Sequence, residues 1–197
     1  PNAYFAEFGW VPSDQVTAVP CRDTEWQADG EKIRPGEPVT LTWDNGAGLR
    51  FARTVAVDEH YMFTITRRVE NRGDAPVSLH PYGLISRWGT PHTLGFYILH
   101  EGPIGVLGGK LHEIDYADLQ EDGDVELPSV GGWMGITDKY WLTSLVPDQS
   151  ADLVANFRHF LPDGQDRYQV DYLRPAMSVA PGHHVEVTDR FFAGAKE

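Results

Sequence analysis

The sequence predicts a mainly β protein, a large antiparallel sandwich of two sheets, on three observations. Apolar and polar residues alternate in short runs. Those runs are cut by Gly, Pro, Asn and Asp, in a chain holding 20 glycines and 14 prolines. No apolar period of about 3.6 residues persists for three turns, the mark a long amphipathic helix would leave. Two stacked sheets are the layer arrangement that such a pattern builds.

Taken in order, Val39–Trp43 alternates, with Val39, Leu41 and Trp43 on one face, and Asp44-Asn45-Gly46 after it is a hairpin signal. Leu49–Val57 and Tyr61–Val69 alternate again. In the second, Tyr61, Phe63, Ile65 and Val69 share a face, and Arg67 is the odd member among them. Asn71-Arg72-Gly73-Asp74 reads as a turn. Val77–Trp88 is a long strand with Pro81 inside it, which predicts a bulge or an edge position there. Thr93–Leu99 and Ile104–Leu107 are short apolar strands, and Leu111–Tyr116 leads into an acidic loop at Gln120–Asp124. Leu153–Leu161, the turn Pro162-Asp163-Gly164, Tyr168–Leu173 and Val185–Phe192 complete the set.

Residues 1–197 are read as a single domain, long enough to bury a substantial core. No run approaches the roughly 18 apolar residues needed to cross a bilayer. The opening at Pro1-Asn2 and the close at Lys196-Glu197 read as cuts in a longer protein. A net charge of −13 argues against binding nucleic acid, which needs clustered Lys and Arg, and against lying on an anionic lipid surface. Cys21 is the one cysteine, so no internal disulfide forms, and it reads as a small core or loop residue.

Reactive chemistry has little foothold. The eight histidines are scattered, apart from His183-His184 at a turn, and no HxH, HExxH or Cys/His pairing sets up a metal site. Asp118–Ser129 places Asp118, Asp122 and Gly123 as a calcium loop would, but Gln120 and Ser129 stand where liganding acids are needed. An acidic, solvated turn is the reading. Gly105–Lys110 ends in Gly-Gly-Lys, but Leu111 follows the lysine, so it is no phosphate loop. No GxSxG or SxxK nucleophile motif is present, and no cofactor is expected.

The most distinctive run is Gly131–Pro147, GGWMGITDKYWLTSLVP. Its aromatic and aliphatic content predicts a buried strand pair, or a strand and a short turn. With Ala75–Gly89 (APVSLHPYGLISRWG), Gly102–Leu119 (GPIGVLGGKLHEIDYADL) and Phe191–Glu197 (FFAGAKE), it resembles, in the same order, segments of the large periplasmic domain of the bacterial membrane protein insertase family YidC. The likeness spans roughly residues 49–197 and is loose before that.

The resemblance implies a twisted "super-sandwich" of the galactose-mutarotase type, followed by closing helices that lie beyond this sequence. It implies a domain on the periplasmic side of the bacterial inner membrane, with the insertase core elsewhere in the longer protein. It further implies work on nascent membrane proteins, with or without the Sec translocon, and contact with the auxiliary components SecDF. The candidate contact segment is Leu111–Leu145, which pairs an acidic turn (Asp118, Asp122, Asp124) with an aromatic run (Trp133, Tyr140) and has room for an edge strand open to strand addition.

An alternative comes from the same fold. Ser78-Leu79-His80-Pro81-Tyr82 is similar to the HPY run of mutarotases, where a His acts as general acid and a late Glu as base. His80 fits only the first role; Glu186 is the one late glutamate on a strand, and its surroundings do not resemble that base. Carbohydrate binding in a cleft, by stacking on some of Trp10, Trp26, Trp43, Trp88, Trp133 and Trp141, is the related binding hypothesis for an extended ligand. Core filling is the ordinary role of such residues.

Overall fold

The computed structural model describes residues 3–14, 16–92 and 99–196. The chain is built almost wholly of antiparallel strands: β1 (Tyr4–Pro12), β2 (Gln27–Ala28), β3 (Val39–Asp44), β4 (Leu49–Val57), β5 (Met62–Asn71), β6 (Val77–Trp88), β7 (Gly102–Leu107) and β8 (Lys110–Glu113). A short helix, α1 (Tyr116–Glu121), follows, and then β9 (Val125–Val130), β10 (Trp133–Thr137), β11 (Trp141–Val146), β12 (Asp152–Phe160), β13 (Arg167–Leu173), β14 (Met177–Val179) and β15 (His184–Ala195). They form two sheets of a sandwich. One runs β1-β6-β13-β12-β9 with β14 also on β6, and the other runs β2-β3-β4-β5-β15-β11-β10-β7-β8.

The chain divides into two compact units. One comprises residues 1–8, 83–173 and 192–197, the other residues 9–82 and 174–191. In the second unit, Trp10 and Leu79 of one sheet close on Leu49, Phe51, Val69 and Val187 of the other. Trp43 and Val77 pack against that core, as the alternation in β3 and β6 requires. In the first unit, Ile85, Phe157, Tyr168, Val170 and Tyr172 are buried from one sheet and Met134, Ile136 and Leu145 from the other, with β10 packed on β13.

Several sequence expectations are corrected. β6 is not an edge strand: it lies between β1 and β13. Pro81 is accommodated because the neighbour changes there, from β14, which pairs with Val77–Leu79, to β13, and the Pro81 carbonyl accepts from Arg174 N–H. Tyr61 is not the first member of the β5 face. It sits in the β4–β5 turn at φ 62°, exposed, and Asp58 Oδ1 closes that turn by accepting from the His60 and Met62 N–H groups. Of Leu111–Tyr116, only Leu111–Glu113 is strand, the end of β8, and Tyr116 already opens α1; β1, β2, β9 and β14 were not anticipated, β9 falling in the stretch read as an acidic turn. The Thr93–Leu99 strand falls mostly on residues 93–98, outside the described residues. Cys21 is an exposed loop residue.

Candidate partner-contact surface

The segment Leu111–Leu145 lies entirely in the first unit and holds edges of both sheets. β8 ends one sheet and β9 the other. The β7–β8 hairpin turns through Gly108 (φ 57°) and Gly109 (φ 73°), the two-residue turn with positive φ at both positions. Leu107 and Lys110 close it, and pairing continues through Val106–Leu111 and Gly105–His112. In such a ladder the closing pair is hydrogen-bonded and bonded pairs alternate. Lys110 and His112 therefore face β7, and Ile114 N–H continues the alternation by donating to Pro103 O at 3.0 Å. Leu111 and Glu113 direct their backbone groups away from β7, where no further strand pairs among the described residues. The Leu111 side chain is exposed. β9 is a poorer template, because Pro128 within it has no N–H.

The acidic residues are presented by α1 and the turn into β9. Asp118 lies in the helix, Asp122 ends it, and Asp124 precedes the strand. Because Asp118–Glu121 is helical and Val125–Val130 is strand, these residues do not form the continuous loop of a calcium site. All three carboxylates reach solvent. The helix is pinned from below: Tyr116 and Leu119 are buried, and Tyr116 meets the Tyr168 ring edge-on at 4.5 Å. Gln120 Nε2 donates to Tyr168 Oη at 2.6 Å. Asp166 gathers the rest, accepting from Thr90 Oγ1 at 2.8 Å and lying 2.8 Å from His159 Nε2. The Thr90 hydrogen bond, and then His159, hold the Asp166 carboxyl below its ordinary range. Burial pushes the Tyr116 hydroxyl far above the phenol range. Asp124 Oδ1 accepts from His159 N–H at 3.1 Å, so the acidic turn is tied to the same network.

Trp133 and Tyr140 stand at opposite ends of the β10–β11 hairpin. Trp133 opens β10 and is half-buried opposite Val106. Tyr140 belongs to the tip. Gly131 and Gly132, at φ 59° and 93°, carry the chain from β9 to β10; a Cβ on Gly132 would stand 2.3 Å from Val106 O. The tip is braced. Arg87 Nη1 reaches both Asp138 oxygens at 2.5 and 2.6 Å, and Lys139 N–H donates to Glu101 Oε1 at 3.1 Å. Lys196 N–H donates to Tyr140 O at 2.8 Å. Yet Tyr140 is 63% and Trp141 60% exposed. Sequence reasoning placed Trp141 in a buried pair; its position as the first residue of β11, against the Asp138-Lys139 turn, is the available signal that it lies at an end.

The second unit holds the mutarotase-like run. His80 is engaged at both ring nitrogens: Nε2 lies 3.1 Å from Ser13 Oγ and Nδ1 3.1 Å from Arg174 O. Glu186 instead lines a shallow depression of about 360 Å³ on the outer face of β3, β4 and β5, among Thr40, Thr54, Arg50 and Arg68. Of the six tryptophans, Trp10 is core, Trp141 is exposed, and the others are half-buried.

Residues 1–197 match the family model described as the YidC periplasmic domain. The chain is 47% identical over 206 residues to a membrane protein insertase YidC from Methylobacterium sp. strain 4-46, covering 100% of this chain and 33% of that protein. It is 50% identical over 196 residues to one from Bradyrhizobium diazoefficiens, covering 98% and 32%. The chain thus spans about a third of the length of these relatives. Among solved structures it is similar to a galactose mutarotase-like protein from Lactobacillus casei, with TM-score 0.55, 10% identity, and coverage of 87% of this chain and 74% of that one. A putative aldose 1-epimerase from Escherichia coli K12 gives TM-score 0.54, 12% identity, and coverage of 88% and 69%. At such identity the likeness is one of fold, and a fold does not carry its chemistry with it.

Proposed function

The chain belongs to the YidC periplasmic domain family, and from that premise we propose that it is the non-catalytic periplasmic part of a membrane protein insertase in the bacterial inner membrane. In this reading it assists insertion and folding of nascent membrane proteins by holding partner proteins beside the insertase core, with SecDF components as the expected partners. The carrying observation is the family match over the whole chain. The β8 edge and the neighbouring acidic turn supply a surface suited to the role. A partner strand added to β8 would bond to the outward groups of Leu111 and Glu113, and a basic flank would meet Asp118, Asp122 and Asp124. The absence of catalysis is argued from His80, whose ring nitrogens are taken up by Ser13 and Arg174.

Capture of SecDF components by the purified chain tests the surface. Leu111→Pro removes only an outward N–H from a strand whose other side carries the β7 pairing, so the fold survives while strand addition is blocked. Asp122→Lys with Asp124→Lys reverses the charge of the turn. Each variant is expected to lower capture. Wild-type capture by both would reject this surface.

A further inference from the structure

We infer that the β10–β11 hairpin tip is a membrane-interface anchor, seated at the headgroup level of the bilayer in which the longer protein resides. The inference rests on the insertase reading and adds a lipid contact to it. Three features of the tip point to lipid. Its exposed side chains are a Tyr and a Trp, the two residue types that concentrate where a bilayer meets water, because each joins an apolar ring to a polar handle.

Its charge is also distinct from that of the chain, whose net charge is −13. Asp138 is taken up by Arg87. Lys139 Nζ lies 4.9 Å from the Tyr140 ring centroid, and Lys196 Nζ donates to Thr137 Oγ1 at 2.9 Å. Neither ammonium has a carboxylate within ion-pair distance among the described residues, and the Glu101 carboxylate at the tip accepts from the Lys139 backbone N–H, so the tip offers two cations to lipid phosphates beside one further carboxylate. A basic tip on an acidic chain reaches an anionic surface locally while the remainder is repelled, which orients the unit.

Third, the tip is held rigidly next to both described ends of the chain. Tyr4 Oη lies 2.5 Å from Thr143 Oγ1 on β11, and Lys196 N–H bonds to Tyr140 O. Tyr4 and Lys196 therefore pack on the same hairpin that carries Tyr140 and Trp141. A protein partner on the same aromatics is the competing occupant, and the two cations without carboxylate partners favour lipid over it.

The test uses the full-length insertase carrying 5-fluorotryptophan, reconstituted in vesicles of phosphatidylethanolamine and phosphatidylglycerol without other proteins. The Trp141 fluorine resonance is assigned by its loss in Trp141→Phe. Nitroxide-labelled lipid is expected to broaden the Trp141 resonance away while leaving that of buried Trp10 in place. Lys139→Gln with Lys196→Gln is expected to weaken that broadening. Broadening by a soluble gadolinium chelate alone would overturn the proposal, since the tip would then be in water. Protection from both probes would overturn it too, showing protein cover. SecDF capture plays no part in this readout, so the lipid contact and the partner surface fail or stand separately.

Discussion

Arg67 and Asp189 form an ion pair sealed inside the second unit, each with 1% of its surface exposed. Arg67 Nη1 also donates to Gly9 O at 2.6 Å and to Tyr82 O at 2.5 Å, and its guanidinium lies 5.7 Å from the Trp10 ring. One cation therefore joins β1, β5, β6 and β15. Removing one partner strands the other charge in the interior, at about 3–5 kcal/mol. Arg67→Met and Asp189→Leu are each expected to lower unfolding free energy by about that much in urea titrations. The double variant removes the orphaned charge but leaves the Gly9 and Tyr82 carbonyls short of a donor, roughly 1–3 kcal/mol for each buried group. It should lie above both single variants and below wild type. Additive losses would refute a coupled pair.

That pair marks where the sequence was readable and where it was not. The runs read for β3, β4, β12 and β13 fall on those strands, and in β13 the burial alternates strictly, with Tyr168, Val170 and Tyr172 inward, as the period of two of a half-buried strand requires. The same rule made Arg67 an anomaly on a buried face, and its partner lies 122 residues away, beyond any local pattern. Helix α1 escaped notice because six residues supply just Tyr116 and Leu119 as an i,i+3 pair. β1 escaped because its burial follows no alternation, with Phe8, Gly9 and Trp10 buried in succession. Of the candidate contact residues, the acidic three were recognisable as solvated. The exposure of Tyr140 and Trp141 was not, since aromatic content reads alike in a core and on a surface.

Gly135 permits a very close approach between β10 and β11. A Cβ there would lie 1.9 Å from Thr143 O, across the β10–β11 ladder. Gly135→Ala must push the strands apart and disturb the hairpin that ends in Tyr140. A loss of about 3 kcal/mol, at the upper end for overpacking, is expected from denaturation. Gly164→Ala is the contrast: at φ 76° it has open space around it, so only backbone strain of about 1–2 kcal/mol is incurred. The reverse order would show that β10 and β11 yield more readily than the register implies.

Asp166 gives a pH dependence of defined sign. Its folded pKa is depressed, first by the Thr90 hydrogen bond and then by His159, relative to an ordinary value of 3.8. The native state binds its proton less readily than the unfolded chain, so the contribution is complete above the unfolded value and fades as pH falls through the folded one. Carboxyl NMR titration is expected to place the Asp166 midpoint below 3.8, with Thr90→Val moving it upward. Loss of α1 anchoring at acid pH should appear as faster amide exchange at Leu119 and Gln120. A midpoint unmoved by Thr90→Val would dissociate the carboxyl from this network.

His80 decides between scaffold and enzyme. A general acid must present a proton to substrate, and here both ring nitrogens are in use, one at Ser13 Oγ and the other at Arg174 O. The imidazole thus ties the end of β1 to β6 and to the segment before β14. Two net hydrogen bonds of roughly 0.5–1.5 kcal/mol each set the size of the effect. His80→Ala is expected to reduce stability by about 1–3 kcal/mol. Anomer interconversion by the purified chain should remain at the uncatalysed rate, with or without the substitution. A rate above that background that disappears in His80→Ala would mean that the imidazole leaves Ser13 to meet a sugar, and would return the chain to the epimerases whose fold it shares.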